Sequence, residues 1–77
     1  MSVKAYVLIN VSGEKAKKVA ETLSGIKGVS NAHAVTGPYD VIAMVEAEDL
    51  EAMGDLILVG VRGTPGVSNT LTSVAVD

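Results

Sequence analysis

The sequence contains no cysteine, tryptophan or phenylalanine, only two tyrosines and a single histidine. Without cysteine a disulfide framework is impossible, and His33 alone cannot make a Cys/His zinc site. A sheet that reads RNA needs aromatic side chains on which bases stack, and Tyr6 and Tyr39 are too few for that work. Basic residues are scarce as well: Lys4, Lys15, Lys17, Lys18, Lys27 and Arg62 stand against nine acidic residues, for a net charge of -3. Phosphate binding rests on clustered Lys and Arg, so this balance argues against a direct nucleic-acid partner. Lys15, Lys17 and Lys18 do cluster, but Glu14 and Glu21 lie at helical i,i+4 spacing from Lys18 and Lys17, the pattern of a solvated, paired helix face.

Other absences concern chemistry and location. There is no GxxxxGK phosphate loop, no cysteine nucleophile, no Ser/His/Asp set and no metal-spaced cluster, so neither catalysis nor a cofactor or metal is expected. The longest uninterrupted apolar stretches are Val41 to Val45 and Leu56 to Val59, far short of the about 20 residues that a membrane-crossing helix needs. The N-terminus shows no basic region followed by a long apolar run, so no secretory signal and no membrane are expected, and the cytoplasm is the expected compartment.

What is present is apolar: 48% of the 77 residues are hydrophobic. A chain of this length makes one domain, 1–77, and buries only roughly 60% of the surface that it would expose unfolded. With disulfides and metals excluded, association between chains is the remaining way to stabilise so small a core.

Period-two alternation over residues 3 to 11 places Val3, Ala5, Val7, Ile9 and Val11 on one face of a strand, with Lys4, Tyr6, Leu8 and Asn10 on the other. Ser12 is positioned to cap a helix whose apolar residues, Ala16, Val19, Ala20, Leu23 and Ile26, follow at helical spacing and which stops near Gly25 and Gly28. A second strand is expected from Val29 to Thr36, a compact turn at Gly37-Pro38-Tyr39-Asp40, and a third strand from Val41 to Glu46. Glu46, Glu48, Asp49 and Glu51 then gather at the start of a second helix, where acidic side chains complement its dipole. This helix is predicted from Asp49 to Val61, with Leu50, Met53, Ile57 and Val61 as its core stripe. Leu56, Leu58 and Val59 lie off that stripe and imply an additional buried face. Gly63 and Pro65 end the helix, and Val67 to Val76 reads as the fourth strand.

Gly28-Val29-Ser30-Asn31 and Gly66-Val67-Ser68-Asn69 each open the strand after a helix, so the chain reads as two βαβ halves in tandem. The first and third strands are the most continuously apolar, while the second carries Ser30, Asn31, His33 and Thr36 and the fourth Ser68, Asn69, Thr70, Thr72 and Ser73. Central strands are covered most and edge strands tolerate polarity. The expected fold is therefore α+β: a ferredoxin-like βαββαβ with an antiparallel four-stranded sheet in the order 4-1-3-2 and both helices on one face. Val41, Ala43 and Val45 alternate with Ile42 and Met44, so both faces of the third strand are apolar. The face without helices is expected to meet another subunit, giving a dimeric α+β barrel.

Two motifs remain. A Gly-x-aromatic-Asp turn, Gly37-Pro38-Tyr39-Asp40, lies between the middle strands, and Pro65-Gly66-Val67 leads into a last strand carrying Thr70 and Thr72. In these motifs and in the order of its elements, over essentially its whole length, the chain resembles the effector-binding domain of the Lrp/AsnC transcription regulators. The resemblance implies subunits paired through their sheets, dimers assembled into rings or discs, and a small effector, commonly an amino acid, bound between dimers. It places Gly37, Tyr39 and Asp40 in the effector site: Gly37 lets backbone N–H groups approach an α-carboxylate, Asp40 accepts from an α-ammonium group, and Tyr39 walls the pocket. Thr70 and Thr72 would supply hydroxyl groups. The plainer alternative is that Gly37 and Pro38 only shape the turn and Asp40 satisfies its backbone. No helix-turn-helix precedes the first strand, so the expectation is a stand-alone effector domain that binds its ligand alone or co-assembles with a full-length Lrp/AsnC regulator. Two other readings compete: a small dimeric α+β barrel enzyme with His33 as general base, and a structural partner subunit similar in architecture to ACT domains.

Overall fold

The computed structural model describes residues 2–77. The elements run β1 (Val3–Val11), α1 (Ala16–Ser24), β2 (Val29–Ala34), β3 (Val41–Ala47), α2 (Leu50–Asp55), continued by a π-helical segment (Leu56–Val61), and β4 (Val67–Val74). The strands form one sheet in the order β2-β3-β1-β4, antiparallel throughout, as their polarity predicts. β1 and β3 are central because each alternates buried side chains on the helix side: Ala5, Val7 and Ile9 pair across the ladder with Val45, Ala43 and Val41, and all six are fully buried. Val19, Ala20 and Leu23 of α1, with Met53 and Val61 from the second helical stretch, complete the core over this face. Both helices thus cover the same side, and Tyr6, Leu8, Ile42, Met44 and Leu71 lie on the other.

The helix starts differ from the sequence expectation. Lys15, not Ser12, occupies the N-cap of α1, and its side chain makes no capping bond. The helix begins only at Ala16, three residues later than a Ser12 cap requires, and the Ser12 backbone N–H donates to the Gly66 carbonyl at 2.8 Å. Glu14 consequently precedes the helix, and its spacing to Lys18 is not that of two helical positions. At α2 the acidic run does cap, with the Ala52 N–H donating to Asp49 Oδ1 at 2.8 Å. Leu50, expected in the core, is 66% exposed: as the first helical residue it borders an open hollow with Val3, Lys4 and Val74 and is not covered by other elements. Leu56, expected off the stripe, packs against the core with Ile57.

From Leu56 the helix widens, and the Arg62 N–H reaches back five residues to the Ile57 carbonyl at 2.8 Å. Helical turns of this width are rare and usually brief. Here the wide turn keeps Leu56, Ile57 and Val61 against the core and leaves Leu58 and Val59 in solvent, at 61% and 74% exposure. The additional buried face expected from these two side chains does not form within one chain. The edge strands are also shorter than expected, β2 stopping at Ala34 and β4 at Val74.

The tandem echo has a structural counterpart. The Val29 N–H donates to the Ile26 carbonyl at 3.0 Å and the Val67 N–H to the Thr64 carbonyl at 3.1 Å, closing two equivalent turns. Their third residues, Gly28 and Gly66, have φ of 99° and 95°, the conformation that a type II turn requires and that favours glycine. Each glycine carbonyl then accepts from the strand that opens a half, Gly66 from Ser12 and Gly28 from Glu46, both at 2.8 Å. Space is short as well: a Cβ on Gly66 would lie 2.8 Å from Glu14 Cβ and 2.9 Å from Val19 Cγ2. Gly66→Ala is expected to destabilise the fold by about 2 to 4 kcal/mol, through positive φ and overpacking together. Gly13→Ala, at a φ of 77° but with nothing within 4 Å, should lose only about 1 to 2 kcal/mol. Urea unfolding of the two variants beside the parent measures the difference.

Candidate functional site

The turn between β2 and β3 is built by its backbone before any side chain contributes. Gly37 adopts a φ of 145°, and a Cβ there would touch nothing within 4 Å, so the requirement for glycine is conformational and not steric. The Val35 N–H donates to the Asp40 carbonyl at 2.9 Å, and the Asp40 N–H donates to the Ile9 carbonyl at 2.9 Å, which ties the turn to β1. The Asp40 carboxylate turns to the same strand: the Val11 N–H donates to Asp40 Oδ2 at 2.9 Å. That bond extends the β1–β3 ladder past its last backbone pair, Ile9 with Val41, at a point where β1 shifts register against β4 between Asn10 and Val11. One carboxylate oxygen of Asp40 thus satisfies its own scaffold.

Asn10 links this turn to the far edge of the sheet. Its Nδ2 donates to the Pro38 carbonyl at 3.0 Å, Ser68 Oγ donates to its backbone carbonyl at 3.0 Å, and Asn69 Nδ2 donates to its Oδ1 at 3.4 Å. A polar line therefore runs from the turn across β1 to the start of β4. The sequence places Asn10 on the helix-free face without giving it a role. What marked it was its position as the last polar residue of that face before the strand ends.

Beside the turn, on the helix-free face, lies a hollow of about 420 Å³ lined by Leu8, Val35, Gly37, Pro38, Tyr39 and Ile42. Its volume falls in the range of small-molecule sites. Gly37 and Tyr39 are thus brought together, with apolar walls from Leu8 and Ile42 that pattern analysis assigned only to the sheet surface. Asp40 borders the turn but is not among the lining residues. Thr70 and Thr72 lie elsewhere. They pair with Ile9 and Val7 on the edge strand β4, and residues directly paired across strands share a face, so both hydroxyls stand on the helix side, opposite the hollow. His33 pairs with Ile42 on β2 and lines a separate surface groove with Lys17, Glu21 and Ser24. Among the described residues no group of three or more His, Cys, Asp or Glu side chains is placed to hold a metal ion, and no helix is long and apolar enough to cross a membrane.

Comparison with known proteins gives this geometry a context. A helix-turn-helix-type transcriptional regulator of Pyrococcus furiosus, itself uncharacterised, is 36% identical over 74 residues, which is 92% of this chain and 49% of the regulator. The chain thus spans about half the length of the curated regulators that it matches. A homocitrate synthase of Sulfurisphaera tokodaii is 39% identical over 56 residues, which is 73% of this chain and only 12% of that enzyme. Among solved structures, a Thermus thermophilus protein superposes with a TM-score of 0.88 at 32% identity, covering 97% of this chain and 94% of that one. A Neisseria meningitidis transcriptional regulator, solved as its L-Met complex, agrees in fold, with a TM-score of 0.84 at 19% identity over 97% of this chain and 50% of its own. The model of the Lrp/AsnC ligand binding domain matches residues 4–77, and the chain belongs to that family.

Proposed function

We propose that the chain is an effector-binding and assembly module that binds a small molecule, an amino acid, without catalysing a reaction, and that it does so in the cytoplasm. The observation that carries this reading is the hollow beside Gly37 and Tyr39, which opens on the sheet face that no helix covers. A second copy laid against Tyr6, Leu8, Ile42, Met44 and Leu71 would bury this face as a dimeric α+β barrel and close the hollow from above. The L-Met complex of the Neisseria regulator supports an amino acid as the ligand class.

In this reading the positive φ of Gly37 leaves the turn backbone open to an α-carboxylate, Tyr39 and Leu8 wall the side chain, and the second Asp40 oxygen accepts from the α-ammonium group. Thr70 and Thr72 enter the site only from a neighbouring copy, since within one chain they face the other way. Association with full-length Lrp/AsnC regulators would pass the state of the site to their DNA-binding parts. A second reading is motivated by the homocitrate synthases, of which a 56-residue stretch is 39% identical to this chain: a chain of this kind would also serve an enzyme as a regulatory subunit.

Titration calorimetry against the common amino acids should give saturable heat for at least one of them; heat from none removes the effector role. Asp40→Asn keeps an oxygen for the Val11 N–H but loses the charge, so it should weaken binding by about 1 to 3 kcal/mol while leaving the unfolding midpoint nearly unchanged. Asp40→Ala should in addition lose about 1 to 3 kcal/mol of stability by orphaning that N–H. Leu71, at 51% exposure, lies on the helix-free face, and Leu71→Lys should break sheet-to-sheet pairs. Light scattering after size exclusion should then show the mass falling by half, whereas an unaltered mass would place the contact elsewhere.

A further inference from the structure

β2 is an outer strand: it pairs with β3, and among the described residues no strand lies on its other side. One hydrogen bond fixes where its backbone groups point. The Val35 N–H donates to the Asp40 carbonyl at 2.9 Å, and along an antiparallel ladder residues that bond to the partner strand alternate with residues whose N–H and C=O point away from it. On this register Asn31 and His33, opposite Met44 and Ile42, turn their backbone towards β3, whereas Ala32 and Ala34 turn theirs outward. The N–H and C=O groups of these two alanines form an open row of donors and acceptors. Sheet edges are usually blunted by charged side chains or proline, and Val29–Ala34 contains neither. Its bulge, between Val29 and Asn31, bends only the start of the strand.

Beside this edge runs a groove of about 360 Å³ between α1 and β2, with Ala20, Ala32 and Ala34 as its floor and Lys17 and Glu21 on its rim. Ala32 and Ala34 pair with the buried Ala43 and Val41, so the groove lies on the helix side, opposite the hollow at Gly37 and Tyr39. α1 carries the chain back to the start of β2 and therefore runs antiparallel to it, with Lys17 towards Ala34 and Glu21 towards Ala32. Both charged side chains are exposed. Four residues along a helix advance about 6 Å, and two along a strand advance about 6.6 Å, so alternate residues of a strand laid in the groove keep step with Lys17 and Glu21.

We infer that the β2 edge and its groove are a docking site for an extended segment of a different protein, which adds to the sheet as a fifth strand. The backbone of Ala32 and Ala34 supplies the hydrogen bonds, and the groove supplies the selection of side chains. Antiparallel pairing is the more stable arrangement per residue, and a segment antiparallel to β2 runs in the same direction as α1. It therefore passes Lys17 first and Glu21 second. Charge complementarity then asks for an acidic residue followed, two positions later, by a basic one, both facing α1. No acidic residue of this chain has Lys or Arg two positions after it, so a second copy does not carry the segment and the occupant is a foreign chain.

Amide NMR on the full chain tests the site with two capped peptides of one composition, Thr-Thr-Glu-Thr-Lys-Thr-Thr and its charge-swapped form Thr-Thr-Lys-Thr-Glu-Thr-Thr, each added to about 1 mM so that weak binding is visible. The first should shift the Ala32 and Ala34 amide signals in a saturable way and slow their hydrogen exchange, and the swapped peptide should bind at least about fivefold more weakly, since two exposed pairs change from attraction to repulsion. The double exchange Lys17→Glu with Glu21→Lys should invert the preference, a result that damage to the fold would not give. No shift at Ala32 and Ala34 with either peptide, or equal binding of both peptides, overturns the proposal. Shifts at these two amides on concentrating the protein alone would give the edge to a second copy and overturn it as well.

Discussion

A twisted sheet has two faces, and two short helices can shelter only one of them. In this protein the sheltered face holds Ala5, Val7 and Ile9 against Val41, Ala43 and Val45, all fully buried, and every other element is placed by the need to cover those six side chains. α1 supplies Val19, Ala20 and Leu23, and the second helix supplies Met53 and Val61. Burying a Val, Leu or Met side chain is worth about 1.5 to 3 kcal/mol, and a domain this small has few such contributions to draw on. The widening of the helix after Leu56 serves the same need, since it holds Leu56, Ile57 and Val61 on the core together.

The opposite face is shaped by what the helices leave uncovered. Tyr6, Leu8, Ile42, Met44 and Leu71 form its apolar surface, and the β2–β3 turn folds beside it to make the hollow at Gly37 and Tyr39. The turn is held by hydrogen bonds to β1 from both its backbone and its Asp40 side chain. The hollow exists within the single chain, with Leu8 and Ile42 of the sheet below it and turn residues around it, and it stays open on the helix-free side. Membership of the Lrp/AsnC ligand-binding family gives that geometry its functional setting. The proposed closing of that side by another copy couples ligand and assembly: a molecule that fills the hollow would bias the pairing of sheets, and pairing would raise affinity for the molecule by the same factor.

The two halves of the chain solve one structural problem in the same way. Gly28 and Gly66 make equivalent turns with equivalent hydrogen bonds, each packing the end of one half against the other: Gly28 approaches Leu56 of the second helix, and Gly66 approaches Glu14 and Val19 of the first half. The helices differ more than the turns do. α1 is a regular amphipathic helix, whereas the second carries Leu58 and Val59 outward. That departure from symmetry gives the molecule a helix surface with no counterpart on α1.

Strand order, element order and the buried face were all legible in the sequence, because they depend on local pattern: alternation in β1 and β3, polarity in β2 and β4, helical spacing at Val19, Ala20 and Leu23. The Gly-Val-Ser-Asn echo marked the two halves, and the structure adds that each echo follows an equivalent turn with its glycine at positive φ. Long-range competition decided the rest. Ser12 had the chemistry of a cap, but the helix begins only at Ala16, with Lys15 in the cap position; Asp40 had a free carboxylate in sequence, but the Val11 N–H took one of its oxygens; Leu50 matched the helical stripe, but it borders an open hollow and stays exposed. The resemblance implied one site for Thr70 and Thr72 together with Gly37 and Tyr39, yet strand register sets the threonines on the opposite face, because each step of one residue along a strand reverses the direction of the side chain. Pattern establishes which surfaces are apolar; only the folded chain establishes which of them its own elements can reach.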